Sequence, residues 1–250
     1  MKSFAHLLAN QFRKPSGLLG LYATWFMAKY NRARIARAIA MCAIQETDVV
    51  LEIGFGPGIG IAMAAALAKY GKIFGLDFSK AMVRKASRRN RSLIAAGKVE
   101  LNFGDLNPAP FPDNFFDKIF AVNVVYFWPQ PARELGEIAR MLKPGGRLVL
   151  YFTDRLAMDA VPHTNTGVFH KYTAEEFLPI ISRCALKNPA AGCEESSIPR
   201  EIKHTYNRSL TPEQAPGNSL AVGFRNVRYE SKIETRMGKE FLGHCFIAEK

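Results

Sequence analysis

The clearest chemical signal in the sequence is the segment Leu51-Glu-Ile-Gly-Phe-Gly-Pro-Gly-Ile-Gly60. Its glycines follow a G-x-G-x-G spacing. The G-x-G-x-x-G spacing of dinucleotide-binding turns is not met, because isoleucine occupies its third glycine position. Glycines let the backbone approach a ligand closely. A carboxylate at Glu52, just before the turn, suits a ligand that carries an ammonium group better than one that presents a pyrophosphate.

Two further acidic residues each follow an apolar run. An ionised Asp77 can accept hydrogen bonds from both hydroxyls of a ribose, because carboxylate oxygens accept two donors at once. Asp105 can meet an adenine amino group, while the neighbouring Leu106 packs on the ring. Each acid alone also suits a helix cap or the surface. Their joint position at the ends of successive predicted strands indicates a nucleoside site.

Short apolar runs alternate with helical patterns from residue 48 onward, and these elements must position the acids. Five strands are predicted, at Val49–Ile53, Lys72–Asp77, Val99–Phe103, Asp117–Val125 and Arg147–Thr153. Helices are predicted after the glycine turn, from Ser79 to about Ala95, and over Ala132–Leu142. This order predicts a doubly wound, mostly parallel α/β sheet, in which Gly54, Asp77, Asp105 and Asn123 meet at the carboxyl ends of the strands.

The last quarter of the chain does not follow this alternation of strands and helices. Asn226–Glu234 and Glu240–Glu249 alternate like strands and leave no room for a crossover helix, so we predict an antiparallel pair at one edge of a seven-stranded sheet. We predict an N-terminal helical lid at 1–47 and a main domain at 48–250. Within that domain, the segment at about 187–220 is predicted to be a loop or a cap.

Residues 48–152 resemble the catalytic domain of class I S-adenosylmethionine-dependent methyltransferases, near their small-molecule and quinone-biosynthesis branch. The matching segments are the glycine turn, Gly75-Leu-Asp-Phe-Ser-Lys-Ala-Met82, Gly104-Asp105, Phe111-Pro-Asp-Asn-Phe-Phe-Asp117 and Leu142-Lys-Pro-Gly-Gly-Arg-Leu148. The resemblance implies a Rossmann-like fold and S-adenosyl-L-methionine as the cofactor. It also implies methyl transfer by in-line displacement.

The resemblance also implies positions for the cofactor. Glu52 lies near its ammonium group, Asp77 holds the ribose, and Asn123 lies beside the sulfonium and the substrate. The other residues implied to bind the cofactor lie on three loops: Gly54, Phe55, Gly56, Pro57, Gly58, Phe78, Ser79, Met82, Gly104, Asp105 and Leu106. No metal site is predicted, since no His/Cys set or acidic cluster indicates one.

The residues that act on the acceptor are less defined. A general base is needed only if the acceptor must lose a proton. Tyr126 and His170 are the leading candidates, and His163 and Tyr172 are alternatives. Each can instead pack in the core or lie on the surface. Trp128, with Tyr22 and Trp25 from the lid, is the candidate for substrate contact. A small, partly apolar acceptor is the leading hypothesis.

The apolar run Gly17–Ala28 needs a separate interpretation. It is too short to span a bilayer, which takes roughly 20 apolar residues. Its large side chains recur at helical spacing, which predicts an amphipathic helix packed over the domain. A membrane-surface anchor or a targeting segment is the alternative. Four scattered cysteines suit a reducing cytosol. We therefore predict a cytoplasmic protein, with a peripheral membrane location as the variant.

The chain is basic, with 34 Lys+Arg against 22 Asp+Glu and a net charge of +12. The excess lies in residues 1–50 and 80–98. In the second range, Lys80, Arg84, Arg88 and Arg91 fall on one predicted helix face, as on a solvated helix.

Asn123-Val-Val-Tyr126 lacks the prolines of Asn-Pro-Pro-Tyr enzymes, which disfavours a nucleic-acid base as acceptor. An RNA- or protein-directed enzyme that docks through its basic surface is the first alternative. A non-catalytic protein that binds S-adenosylmethionine is the second. The oligomeric state is not predicted.

Overall fold

The computed structural model describes residues 4–13, 17–184, 223–236 and 239–250. Residues 13, 17–19, 21–29, 184, 235, 236, 239 and 240 are described by their backbone alone. The side chains of Tyr22 and Trp25 and the predicted loop or cap at 187–220 therefore lie outside what is described.

A seven-stranded sheet forms the centre of the fold, as predicted. Its strands are β1 Val49–Ile53, β2 Lys72–Asp77, β3 Val99–Phe103, β4 Phe116–Val122, β5 Leu142–Thr153, β6 Arg225–Arg236 and β7 Lys239–Glu249. Their spatial order is β3-β2-β1-β4-β5-β7-β6. Strands β1 to β5 are parallel, and β7 lies antiparallel between β5 and β6. The doubly wound sheet with an antiparallel C-terminal pair is confirmed.

Helices cover both faces of this sheet. They are α1 Phe4–Arg13, α2 Gly17–Cys42, α3 Ile59–Leu67, α4 Lys80–Arg89, α5 Arg91–Ala95, α6 Pro131–Met141, α7 Arg155–Asp159 and α8 Ala174–Cys184. Apolar side chains of α2, α3 and α4 form a core on one face, and those of α6 and α8 form a core on the other. Burial on both faces explains why the central strands β1 and β2 are mostly apolar.

Three boundaries differ from the sequence prediction. The predicted helix 80–95 is divided at Asn90, whose side chain bonds outside the helix. Strand β4 ends at Val122 because Asn123 adopts a left-handed conformation (φ +58°), and a 3-10 turn follows at Val125–Phe127. Strand β5 begins at Leu142 and not at the predicted Arg147, so it includes the Lys143-Pro-Gly-Gly146 segment.

The N-terminal helices pack onto the sheet domain. Helix α2 contacts β4 and β5, and its Arg34 and Arg37 form ion pairs with Glu234 and Glu230 of β6 at 2.7 and 3.1 Å. Part of the N-terminal positive charge is therefore neutralised within the fold. No helix in the described ranges has the length and apolar content needed to cross a membrane.

Candidate functional site

A pocket opens at the carboxyl ends of β1, β2 and β4. Nine of the predicted cofactor residues line it, namely Glu52, Gly54, Phe55, Gly56, Pro57, Asp77, Phe78, Met82 and Asn123. Seven lining residues were not predicted, namely Phe12, Asn31, Ile35, Ile59, Val122, Val124 and Phe127. The strand ends thus meet where the topology requires, and the N-terminal helices add part of the wall.

The glycine turn needs its glycines for two different reasons. Gly54 (φ +67°) passes so close to β4 that a Cβ there would lie 2.2 Å from Val124 Cγ1. Gly56 (φ +50°) needs the left-handed conformation, and a Cβ there would meet nothing within 4 Å. The Gly56 N–H donates to Asp77 Oδ2 at 2.9 Å, so the turn is held against the end of β2.

Gly58 faces helix α4 and does not line the pocket. A Cβ at Gly58 would lie 2.7 Å from both Ala86 Cβ and Asn90 Nδ2. Asn90 Nδ2 donates to the Gly58 carbonyl at 3.1 Å, and Arg89 Nε donates to the Pro57 carbonyl at 2.9 Å. Asn90 is thus a positioning residue that the sequence analysis missed. Its signal was an asparagine, a poor interior helix former, inside a basic helical run.

We expect Asn90→Ala to destabilise the protein by about 1 kcal/mol and to weaken cofactor binding several-fold, because the Gly58 carbonyl loses its donor. Thermal unfolding and isothermal titration calorimetry measure the two effects. Ser87→Ala is the matched control, since Ser87 Oγ bonds only back to Val83 O within α4. Equal cofactor affinity in Asn90→Ala and Ser87→Ala would contradict the positioning role.

Glu52 presents a buried acceptor to the pocket. The residue is 2% exposed, and its carboxyl group accepts the Ile61 backbone N–H. Its Oε2 has no hydrogen-bond partner among the described residues. Burial raises the pKa of Glu52 well above its ordinary value, and the nearby Asp77 carboxylate raises it further. A buried carboxylate oxygen without a donor is costly, so this position calls for a cationic group.

The carboxyl group of Asp77 has more hydrogen-bond partners than that of Glu52. Its Oδ1 accepts the Ser79 N–H at 2.8 Å and its Oδ2 accepts the Gly56 N–H at 2.9 Å, which leaves each oxygen able to accept one more donor. Burial raises the pKa of Asp77 to about 6, although both backbone N–H groups favour the ionised form. Ser79 acts through its backbone and does not line the pocket.

The third predicted acid is not brought to the pocket. Asp105 is exposed, Leu106 is buried, and neither lines the pocket, nor does Gly104. The Gly104 N–H donates to the Asp77 carbonyl at 3.2 Å, so the chain after β3 is tied to the end of β2. Of the residues implied to contact the adenine, Phe78 and Met82 line the pocket.

The candidate bases and Trp128 also lie outside the pocket lining. Tyr126 is buried, and its hydroxyl lies 3.0 Å from Asn123 Oδ1 and accepts the Thr153 N–H. Burial raises the pKa of Tyr126 far above its ordinary value, which opposes a role as a base. His170 is exposed, and Trp128 is buried in the core. The Tyr126 hydroxyl therefore positions the Asn123 side chain.

Another part of the pocket wall comes from the N-terminal helices. Phe12 of α1 lines the pocket and stacks on His163, with ring centroids 5.0 Å apart. From α2, Asn31 and Ile35 line it, and Asn31 Oδ1 accepts a hydrogen bond from Asn123 Nδ2 at 3.1 Å. The site as a whole suits a ligand with a cationic group, a ribose and a flat ring. Among the described residues no three His, Cys, Asp or Glu side chains cluster to hold a metal ion.

Comparison with known proteins gives a consistent result. A family profile described as "Methyltransferase domain" matches residues 51–150. The uncharacterized methyltransferase YdaC of Bacillus subtilis is 32% identical over 142 residues, covering 57% of this chain and 76% of that protein. Demethylmenaquinone methyltransferase of Symbiobacterium thermophilum is 34% identical over 115 residues, covering 44% of this chain and 45% of that protein. The chain thus spans three quarters of the first relative but less than half of the second.

Solved structures share the fold. A SAM-dependent methyltransferase from Aquifex aeolicus superimposes with a TM-score of 0.56 at 19% identity, covering 85% of this chain and 88% of that chain. The YcgJ protein of Bacillus subtilis does so with a TM-score of 0.58 at 16% identity, covering 87% of this chain and 98% of that chain.

Proposed function

This chain belongs to the class I S-adenosylmethionine-dependent methyltransferases, and on that premise we propose that it methylates a small, partly apolar acceptor by in-line displacement. The observation that carries the cofactor placement is Glu52 Oε2, a buried acceptor without a donor at the pocket wall. S-adenosylmethionine supplies, when bound, a methyl group on a positively charged sulfur.

The residues present fit this cofactor. We assign the ammonium group to Glu52, whose Oε2 lacks a partner among the described residues, and the ribose to Asp77, whose two oxygens each retain an acceptor position. The glycine turn, with its open side at Gly56, accommodates the methionine portion. Phe78 and Met82 flank the adenine. Asn123 then lies on the side of the pocket that faces the acceptor.

The acceptor wall supports a partly apolar molecule. Phe12, Ile35 and Phe127 line it, and such side chains exclude water from the site of transfer. We propose that residues 1–47 act as a lid on the domain formed by 48–250, because α1 and α2 supply this wall. The side chains of Tyr22 and Trp25 remain predicted substrate contacts. A relative whose name gives demethylmenaquinone as its substrate supports a small-molecule acceptor, and its branch is our proposal for this chain.

We place the protein in the cytoplasm, where the thiols of Cys42 and Cys245 stay reduced; both are free and buried. Peripheral membrane contact is proposed through α1, which exposes Phe4 and Leu7 (67% and 47% exposed). These two side chains are the apolar surface by which the lid can meet an acceptor dissolved in a membrane.

A transfer assay with cofactor labelled in its methyl group tests the function. The protein is incubated with separate pools of small molecules, RNA and proteins, and label is expected in the small-molecule fraction. Label in RNA or protein would replace our acceptor class with a macromolecular one. Cofactor binding without transfer to any pool would favour a non-catalytic binding protein.

A further inference from the structure

Two amide side chains stand among apolar ones on the acceptor side of the pocket. Asn31 comes from α2 and Asn123 from the end of β4. Among the described lining residues the only ionisable side chains are Glu52 and Asp77, both on the cofactor side. Polar recognition of the acceptor by this part of the wall therefore falls to the two amides.

The hydrogen-bond network fixes the orientation of both amides. Asn123 Oδ1 lies 3.0 Å from Tyr126 Oη and 3.4 Å from Thr153 Oγ1, two hydroxyls that can donate to it. Asn123 Nδ2 therefore donates to Asn31 Oδ1 at 3.1 Å, and Arg34 Nη1 donates to that same oxygen at 3.4 Å. Because both amide oxygens already accept hydrogen bonds, the capacity left to the pair consists mainly of N–H donors on Asn31 and Asn123.

A buried cation stands behind these donors. Arg34 is 3% exposed, and its Nε donates to Glu234 Oε2 at 2.7 Å while its Nη1 faces Asn31. A guanidinium bonded to the Asn31 oxygen draws electron density from the amide, so its N–H groups become stronger donors. Donors of this kind hold an oxygen that carries negative charge better than a neutral or cationic group.

We propose that Asn31 and Asn123 form an acceptor subsite that holds the oxygen of an acidic phenol or enol, with the methyl group taken by that oxygen or by the carbon conjugated to it. This inference rests on the proposed methyl transfer. The acceptor loses its proton to solvent, its electron pair forms the bond to the methyl carbon, and the pair of the broken sulfur–methyl bond stays on sulfur. No side chain of the described wall has to take a proton.

Three probes with the same apolar body test the subsite: 2-naphthol, 2-naphthylamine and 2-naphthalenethiol. The wild-type protein is expected to methylate 2-naphthol in preference to the other two. Asn31→Leu is expected to lower kcat/KM for 2-naphthol by about 10- to 100-fold, the usual effect of losing a hydrogen bond to a charged group. Calorimetry should show a similar loss in 2-naphthol binding to protein saturated with S-adenosylhomocysteine, and unchanged affinity for S-adenosylmethionine.

Arg37→Gln is the matched control, because it removes an α2 ion pair with Glu230 without touching the pocket lining. Its kcat/KM is expected to stay within about twofold of the wild type, as for other exposed ion pairs. Preferential transfer to the amine or thiol, unchanged kinetics in Asn31→Leu, or no binding of 2-naphthol each overturn the subsite. Failure of the wild type to bind S-adenosylmethionine overturns the proposed function instead.

Discussion

We expect Glu52→Gln to weaken S-adenosylmethionine binding by about 30-fold or more, while it stabilises the cofactor-free protein at alkaline pH. The loss follows from removing one partner of a buried charge pair, which costs about 2–5 kcal/mol. The gain in stability of Glu52→Gln follows because Glu52 is 2% exposed and its Oε2 lacks a donor among the described residues. An ionised Glu52 is therefore a cost to the empty fold and becomes favourable only when a cation arrives.

The sign of the pH dependence separates these two effects. Burial raises the pKa of Glu52 in the folded state, so the folded protein binds more protons than the unfolded chain between the ordinary and the raised pKa. The free energy of unfolding of the wild type therefore falls as pH rises through this window, by about 1.4 kcal/mol for each unit by which the pKa is raised. Thermal unfolding across pH should show this fall in the wild type and a smaller fall in Glu52→Gln.

Glu134→Gln is the matched control for this prediction. Glu134 of α6 is also buried, also has an unpartnered Oε2, and also has a pKa raised by burial, but it does not line the pocket. Glu134→Gln should reduce the fall of the free energy of unfolding with pH and leave cofactor binding unchanged.

Calorimetry in two buffers of different ionisation enthalpy adds a second readout, since an ammonium group that binds Glu52 displaces a proton within the same pH window. Equal cofactor affinity in the wild type and Glu52→Gln would show that Glu52 does not bind the ammonium group of the cofactor.

The parts of the fold that could be predicted are those set by local sequence. The five parallel strands contain apolar runs, the glycine turn follows β1 directly, and Asp77 is the last residue of β2. Because parallel strands end at one edge of the sheet, sequence order alone brings Glu52, Asp77 and Asn123 together. The antiparallel pair was predictable for a related reason, since too few residues separate its strands for a crossover.

The residues that sequence could not place are those set by tertiary packing. Phe12, Asn31 and Ile35 reach the pocket because α1 and α2 fold back over the strand ends, and no spacing in the chain encodes that contact. Asp105 follows its strand as Asp77 does, yet it lies exposed on the edge of the sheet. Tyr126 follows β4 within four residues, but the left-handed Asn123 and the 3-10 turn direct its hydroxyl to Thr153.

We expect Asp77→Ala to weaken S-adenosylmethionine binding by about 100- to 10,000-fold, since it removes two charge-assisted hydrogen bonds to ribose hydroxyls at about 1.5–3 kcal/mol each. It also leaves the Gly56 and Ser79 N–H groups without their acceptor, so the glycine turn loses its tie to β2. Asp105→Ala is the control, because Asp105 also follows a strand but is exposed and outside the pocket lining; its effect should stay below about tenfold. Calorimetry measures the affinities, and thermal unfolding checks that both variants fold.

The pH dependence of cofactor affinity then separates the contributions of Asp77 and Glu52. Asp77 has a pKa of about 6 in the cofactor-free protein, and only its ionised form accepts both hydroxyls, so affinity should fall about tenfold per pH unit below that value. The Asp77 charge is one cause of the raised pKa of Glu52, so removing that charge lowers the pKa of Glu52. Glu52→Gln should therefore keep the Asp77 midpoint near pH 6, and Asp77→Asn should lose that midpoint and keep a Glu52 midpoint at a lower pH than in the wild type. A midpoint near 6 that persists in the double variant Glu52→Gln/Asp77→Asn would show that another group holds the ribose.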